Sequence, residues 1–202
     1  MKSSAFMSAV CIGLAVSFTA HAADKAKPAT PPMDPKAMEE MMMKAAAPGP
    51  PHQRLQKLAG EWNATVESTM DPSQPPQKTT SVAVITTLMD GRYVQEVSTG
   101  EMMGRPFSGM GITGYDNLRK KYVSMWIDNF GTGIMTSEGT PDASGNVINW
   151  TGESPDPMSG KMAKFRMVTR FLSDDKHTFG MFGAGPDGKE TKMMEITYER
   201  KM

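Results

Sequence analysis

Short segments in which apolar and polar residues alternate follow one another from residue 60 to the end of the chain. In residues 164–171, for example, Phe165, Met167 and Phe171 share one face, and three basic residues occupy the other. Alternation of this kind is typical of strands that bury one face. Turn residues such as Asp90-Gly91 interrupt it about every ten residues, as in all-β sandwiches and barrels. The pattern predicts about ten strands, at residues 60–68, 77–89, 92–102, 105–115, 121–129, 133–141, 147–155, 161–173, 177–183 and 191–201.

The number of strands indicates how the sheet ends. A sheet that large in one small domain tends to close on itself, because closure removes the unpaired edges. Ahead of the first strand, the segment HQRLQKLAG places Leu55 and Leu58 one helical turn apart and ends at Gly60, which is typical of a short helix. We therefore expect an all-β fold, a single antiparallel up-and-down barrel, with a short N-terminal helix closing one end.

The first residues have the pattern of an export signal. Lys2 precedes an apolar run over residues 5–20, and Ala20-His21-Ala22 matches the small-x-small cleavage pattern. The expected signal peptide is 1–22, cut after Ala22, which predicts a periplasmic or secreted protein. An uncleaved signal that acts as an anchor is the alternative.

The next segment, residues 23–51, is rich in proline, alanine and methionine. Such a composition cannot bury enough apolar surface to offset the entropy of ordering, so we predict a flexible linker. Within it, PKAMEEMMMKAAA contains good helix formers and could form a short helix, although isolated helices of that length are marginal in water. The barrel domain is then 52–202.

Charge and cysteine content exclude several classes of function. The chain has 22 basic and 22 acidic side chains, and removal of a signal peptide with one lysine and no acid leaves 21 and 22. With no basic block, the sequence predicts no nucleic-acid partner and no membrane partner after signal cleavage. Its one cysteine, Cys11, lies in the signal, so neither disulfides nor thiolate chemistry are expected.

Several stretches resemble a bacterial family known as domain of unknown function 1579. They are LQKLAGEWNATV (55–66), MDGRYVQEVSTGEMMGRPFSGMGITGYDNLRKKYVSMWIDNFGTG (89–133), SEGTPDASGNVINWTGE (137–153) and DGKETKMMEITYERK (187–201). The resemblance extends over residues 52–202 nearly end to end. It implies a lipocalin-like (calycin) barrel, and it implies no particular activity, because the family has no agreed function.

The resemblance also gives two residues a structural role. Gly60-Glu61-Trp62 matches the Gly-x-Trp that opens the first strand of lipocalins. In those barrels the tryptophan closes one end beneath a basic side chain from the last strand. Arg200 stands where that side chain would be, so the resemblance implies that it stacks on Trp62.

The segment 121–129 suggests a ligand site. Its alternation places Tyr122, Ser124, Trp126 and Asp128 on one face and Val123, Met125 and Ile127 on the other. If the first set faces inward, the barrel holds aromatic walls with a few polar groups, as small-molecule sites do. If the second set faces inward, the aromatic residues lie outside. We expect tentative ligand-binding residues on this and a preceding strand: Tyr93, Gln95, Tyr122, Ser124, Trp126 and Asp128.

Methionine suggests an alternative function, since the chain has 21 among 202 residues. Met38, Met41 and Met42 would share one side of a helix, and thioethers are soft ligands that suit Cu(I). A periplasmic Cu(I)-binding or oxidant-buffering protein is therefore the second hypothesis. The alternative is that methionine serves as a core filler and helix former.

A third hypothesis is an enzyme that uses Asp128 with Tyr122 or Tyr115. Asp116 follows a tyrosine at a turn, which favours turn chemistry over catalysis. A haem site would need an inward-facing His177, but this residue begins a short strand after a turn, which favours a surface position. After signal cleavage the chain would keep two histidines, His52 and His177, and no cysteine, which does not suit zinc. The main expectation is non-enzymatic binding of a small, partly apolar ligand, with no cofactor.

Overall fold

The computed structural model describes residues 34–69, 75–156, 159–185 and 188–202. The predicted signal peptide 1–22 lies outside the described residues, as do residues 23–33 of the predicted linker.

Ten antiparallel strands form one closed barrel, in which each strand pairs with its neighbours in sequence and β1 pairs with β10. This confirms the predicted up-and-down barrel. The predicted strand boundaries differ from those of the structure by no more than two residues at any end. The strands are β1 (Gly60–Ser68), β2 (Gln77–Leu88), β3 (Tyr93–Met102), β4 (Arg105–Asp116), β5 (Lys121–Asp128), β6 (Met135–Pro141), β7 (Val147–Pro155), β8 (Met162–Ser173), β9 (Lys176–Ala184) and β10 (Glu190–Arg200).

The alternation along the strands separates an inner from an outer face. On β8, Phe165, Met167 and Phe171 are buried, whereas Lys164 and Arg170 are exposed. The inward residues of several strands meet in one apolar cluster that fills part of the barrel. Its largest members are Trp62, Tyr122, Trp150, Phe165, Phe171 and Tyr198.

Two helices precede the barrel, α1 (Pro35–Ala46) and α2 (Pro50–Gln56). Helix α2 closes one end, as the spacing of Leu55 and Leu58 predicts. Leu55 is buried, His52 packs edge-on against Tyr115, and the guanidinium of Arg54 lies 4.1 Å from the centre of the Phe171 ring. The helix is therefore anchored on the side chains that face inward at this end.

Helix α1 occupies part of the predicted linker, at the position where the sequence allows a short helix. None of its residues is buried. Its C-terminal end is held by Asn117, whose amide donates hydrogen bonds to the carbonyl oxygens of Ala45 and Ala47. Within the described ranges, no helix combines the length and apolarity needed to cross a membrane.

Candidate functional site

Strand β5 turns its aromatic face inward. Tyr122 is buried and packs against Tyr115 and Trp150, with ring centroids 5.0 and 6.0 Å away. Ser124 accepts a hydrogen bond from the inward-facing Thr113 on the neighbouring strand. Burial, together with the nearby phenol of Tyr115, raises the pKa of Tyr122. The barrel interior therefore receives the aromatic and polar set of this strand.

Two glycines make room for Trp126 on the inner wall. A Cβ atom on Gly109 would lie 2.3 Å from Cζ2 of the indole, and one on Gly111 would lie 2.8 Å from Cε3. The ring therefore lies flat over β4. Its Nε1 donates a hydrogen bond to Oδ2 of Asp128 at 3.0 Å, and Oδ1 of the same carboxylate accepts from the backbone N–H of Phe130. The indole is thus fixed with its second face toward the interior.

Tyr93 and Gln95 face away from the barrel interior, so they do not share this wall with the residues of β5. The strand alternates, and its buried members are Val94 and Ser98. Tyr93 is therefore on the outer surface, where its ring covers Gly114. The side chain of Gln95 donates to the sulfur of Met110, which also faces outward.

A polar cluster that the sequence analysis missed lies on the inner face of β3. The carboxylate oxygen Oε1 of Glu96 accepts hydrogen bonds from the hydroxyls of Ser98, at 2.8 Å, and Tyr198, at 3.2 Å. Burial raises the pKa of Glu96 despite both hydrogen bonds. Burial and the nearby Glu96 carboxylate raise the pKa of Tyr198 well above its ordinary value.

In the sequence, alternation places Val94, Glu96 and Ser98 on one face of the strand. It does not show which of the two faces points into the barrel. The opposite set contains Tyr93 and Val97 and is the more apolar of the two. Because the outer face of this part of the barrel is itself apolar, the usual rule that the more apolar face is buried gives the wrong answer here.

The interior is tightly packed at one end and less fully buried in another part. Near the helix, Trp62 and Ala83 are both 0% exposed. Farther along the strands, several residues with inward-facing side chains remain partly accessible to solvent. These half-buried side chains are Glu96, Thr113, Ser124, Trp126, Met181 and Ile196.

Arg200 closes the seam between the first and last strands. Its guanidinium carbon lies 4.2 Å from the centre of the Trp62 ring, which is the arrangement that the lipocalin resemblance implies. The guanidinium also donates hydrogen bonds to the carbonyl oxygens of Ala59, Lys57 and Asp174. Trp62 itself donates from Nε1 to the backbone carbonyl of Leu58, in the turn that follows α2.

His177 is buried, so the expected surface position is wrong. It pairs with Tyr198 and Phe171 on the two neighbouring strands, and this register places its side chain on the inner face with theirs. The imidazole stacks on Tyr198 at 4.3 Å and packs edge-to-face with Trp62 at 4.6 Å. These rings occupy the space beside the imidazole and make it a core residue rather than a haem ligand. Burial, reinforced by the nearby Arg200 cation, lowers the pKa of His177 to about 4.

The residues of the third hypothesis are not brought together. Tyr122 and Asp128 lie six positions apart on one strand, which corresponds to about 20 Å. The hydrogen-bond partners of Asp128 are Trp126 and the backbone of Phe130 rather than a tyrosine. Asp116 accepts hydrogen bonds from the backbone N–H groups of two residues in the following turn, as turn chemistry predicts.

An open groove of about 1210 Å³ runs across the outer face of the barrel, where Ile112, Val123 and Met125 contribute apolar lining. Charged side chains along this groove neutralise one another, as Glu138 does with Arg119 and Lys121. The inner cluster differs, because no basic side chain among the described residues lies within ion-pair distance of Glu96. We therefore place the candidate site inside the barrel.

The described part of the chain contains no group of three or more His, Cys, Asp or Glu residues arranged to hold a metal ion. Exposed thioethers are present instead on helix α1, where Met38 is 47%, Met41 55% and Met42 65% exposed.

Comparisons with known proteins agree with the fold. The structure is similar to that of Rv2717c from M. tuberculosis, with a TM-score of 0.58 and 15% identity over 77% of this chain and 100% of that one. A redesigned β-barrel matches with a TM-score of 0.37, at 16% identity over 73% of this chain and 95% of the design. A DUF3598-family protein of unknown function from Nostoc punctiforme matches with a TM-score of 0.23, at 8% identity over 76% of this chain and 100% of that one.

At these identities, the likeness to Rv2717c shows the fold alone, and the two matches with lower TM-scores carry no argument. No curated protein matches the sequence. The family model described as "Protein of unknown function (DUF1579)" matches residues 47–200, which include α2 and all ten strands. The chain therefore belongs to the DUF1579 family.

Proposed function

We propose that this protein is exported and binds a small, partly apolar ligand in the less fully buried part of its barrel interior, without catalysing a reaction. Ligand sites in β-barrels combine apolar walls with a few fixed polar groups. Here, the indole of Trp126 and apolar side chains such as Ile196 supply the walls. The hydroxyl of Ser124 and the carboxylates of Glu96 and Asp128 supply the polar groups.

The observation that carries the proposal is the partial exposure of Glu96 on the inner face. A buried carboxylate without a counter-charge costs free energy unless hydrogen bonds or water compensate it. The hydroxyls of Ser98 and Tyr198 provide part of this compensation. A core built only for stability would place an apolar side chain there, so the position favours a role in recognition.

The test is ligand capture by protein from its own compartment. Native mass spectrometry of protein purified from the periplasm should show a bound small molecule, and a lipid and metabolite library should contain compounds that raise the melting temperature. The same preparation tests export, because the mature mass should begin at Ala23.

A matched pair of variants locates the ligand. Ser124→Phe should fill the interior and abolish both the adduct and the thermal shift. Thr136→Phe places the same side chain on the exposed outer face of the adjacent strand and should leave both unchanged. Equal loss in both variants, or retention in both, would contradict an interior site.

Cu(I) binding by helix α1 is a second candidate, favoured by the exposure of its thioethers. Met38, Met41 and Met42 lie at helical spacings of three and four, so they share one face. Titration with Cu(I) against a chromophoric competitor tests the candidate. Replacing all three by leucine should abolish binding, whereas the Met89→Leu and Met103→Leu double variant, which removes two exposed thioethers elsewhere, should not. Unchanged affinity in the triple variant would exclude it.

A further inference from the structure

We propose that the interior site selects organic ammonium ions, with the charged nitrogen held between Glu96 and the inner face of Trp126. This inference rests on the proposed interior binding and specifies the chemical class of its ligand. It follows from how the two side chains are placed, from the accessible oxygen of the carboxylate, and from the fact that no described basic side chain pairs with that carboxylate.

The strand register places the carboxylate beside the indole. Glu96 and Ser98 on β3 pair with Gly111 and Gly109 on β4. These are the two glycines that the ring of Trp126 covers from the next strand. One face of the indole therefore lies against the sheet next to Glu96, and the other faces the barrel interior. An aromatic face beside a carboxylate attracts a cation through both the ring quadrupole and the negative charge.

One oxygen of Glu96 remains available. The hydroxyls of Ser98 and Tyr198 both donate to Oε1, and Oε2 has no hydrogen-bond partner among the described residues. In that part of the chain, the enclosed side-chain nitrogen and oxygen atoms without a partner are Arg54 Nε and His177 Nδ1. Oε2 is not one of them, so it remains accessible to solvent. A carboxylate oxygen held in this way accepts a hydrogen bond from an N–H donor.

The interior supplies negative charge without a balancing positive one. Asp128 places a second carboxylate on the Trp126 side of the cavity through its hydrogen bond to the indole N–H. No lysine, arginine or histidine of the described residues forms an ion pair with either Glu96 or Asp128. Arg200 lies against Trp62 at the seam, where it pairs with Asp175. A cationic ligand would provide the missing counter-charge, whereas an anionic ligand would be repelled.

The experiment compares n-hexylammonium, n-hexanol and hexanoate, which share a six-carbon chain and differ in the head group. Calorimetric titration of the full-length mature protein at neutral pH should give at least tenfold tighter binding of hexylammonium than of hexanol, and the weakest binding for hexanoate. Glu96→Gln keeps the acceptor for Ser98 and Tyr198 but removes the charge. It should reduce hexylammonium affinity at least tenfold and leave hexanol affinity unchanged.

Controls separate recognition from folding. Glu101→Gln removes a carboxylate from an exposed position on the same strand and should not change any of the affinities. Trp126→Phe, which retains an aromatic ring but weakens the attraction to a cation, should reduce hexylammonium affinity severalfold. Circular dichroism confirms that each variant is folded.

The outcomes distinguish this inference from the proposed function. Equal affinity for hexylammonium and hexanol, blocked in both cases by Ser124→Phe, would overturn the ammonium selectivity and support the interior site. Unchanged hexylammonium affinity in Glu96→Gln would also overturn it. If none of the three probes binds the unmodified protein, both the inference and the proposed interior site are contradicted.

Discussion

Acid should destabilise this protein through the buried imidazole of His177. His177 is 5% exposed and packs among the rings of Tyr198, Trp62 and Phe171. Its pKa is lowered from 6.5 to about 4 by burial first and by the Arg200 cation second. The unfolded chain therefore takes up a proton as the pH falls below 6.5, whereas the folded protein takes it up only near pH 4. Stability must decrease across this window as the pH falls.

The magnitude follows from the two pKa values. The full difference corresponds to about 3 kcal/mol in the free energy of unfolding, and the part that develops between pH 7 and pH 5 is about 2 kcal/mol. His177→Phe retains an aromatic ring in the stack and removes the titration. Any difference in packing between the phenyl ring and the imidazole is the same at both pH values. The difference between the two pH values therefore isolates the proton.

Urea unfolding followed by circular dichroism at pH 7, 6 and 5 measures this difference. The unmodified protein should lose about 2 kcal/mol more stability than His177→Phe over that range. NMR titration of the imidazole C–H signals gives the pKa in the folded state independently. Parallel stability profiles for the two proteins, or an NMR pKa near 6.5, would refute the argument.

Substitutions at three further positions test other parts of the barrel. Arg200→Ala should lower the free energy of unfolding by about 3 kcal/mol, because it removes a cation–π contact and several charged hydrogen bonds at once. Arg200→Lys should recover less than half of that loss in urea unfolding, since an ammonium cannot reproduce the guanidinium geometry. Gly109→Ala should displace the indole of Trp126 and lower the free energy of unfolding by about 2 kcal/mol. The displacement should change the near-ultraviolet circular dichroism spectrum. An unchanged spectrum would show that the ring does not lie on the glycine. Glu96→Gln should raise the melting temperature at pH 7 but not at pH 4. The reason is that a carboxyl with a raised pKa stabilises the folded state only while it is protonated, and this contribution is lost as the pH rises. Equal changes in melting temperature at both pH values would contradict this reasoning.

The strands and the barrel closure could be predicted because they depend on local patterns. Alternation, turn residues and strand number are all present in the sequence, and Gly60 correctly marked the start of the first strand. The helix that closes one end was predictable for the same reason, from the spacing of Leu55 and Leu58.

Which residues face inward was harder to predict, because both faces of some strands are apolar. On β2 and β3, Val84 and Val97 face outward and pair with each other across the strands. This apolar outer surface hid the inward Glu96. His177 was misplaced for a different reason, since the start of its strand next to a turn carries no pattern that separates the rim from the core.

The seam between β1 and β10 has a consequence for the kinetics of folding. Nine of the ten strand pairings join neighbours in sequence, and each closes only a short loop. The remaining pairing joins the two ends of the barrel, where Arg200 reaches Ala59 across 141 residues of chain. Because long loops cost more entropy to close, this pairing should form late, after the meander of hairpins. Contacts that form after the transition state mainly slow unfolding. We therefore expect the stacking of Arg200 on Trp62 to slow the unfolding of the closed barrel more than it speeds its folding.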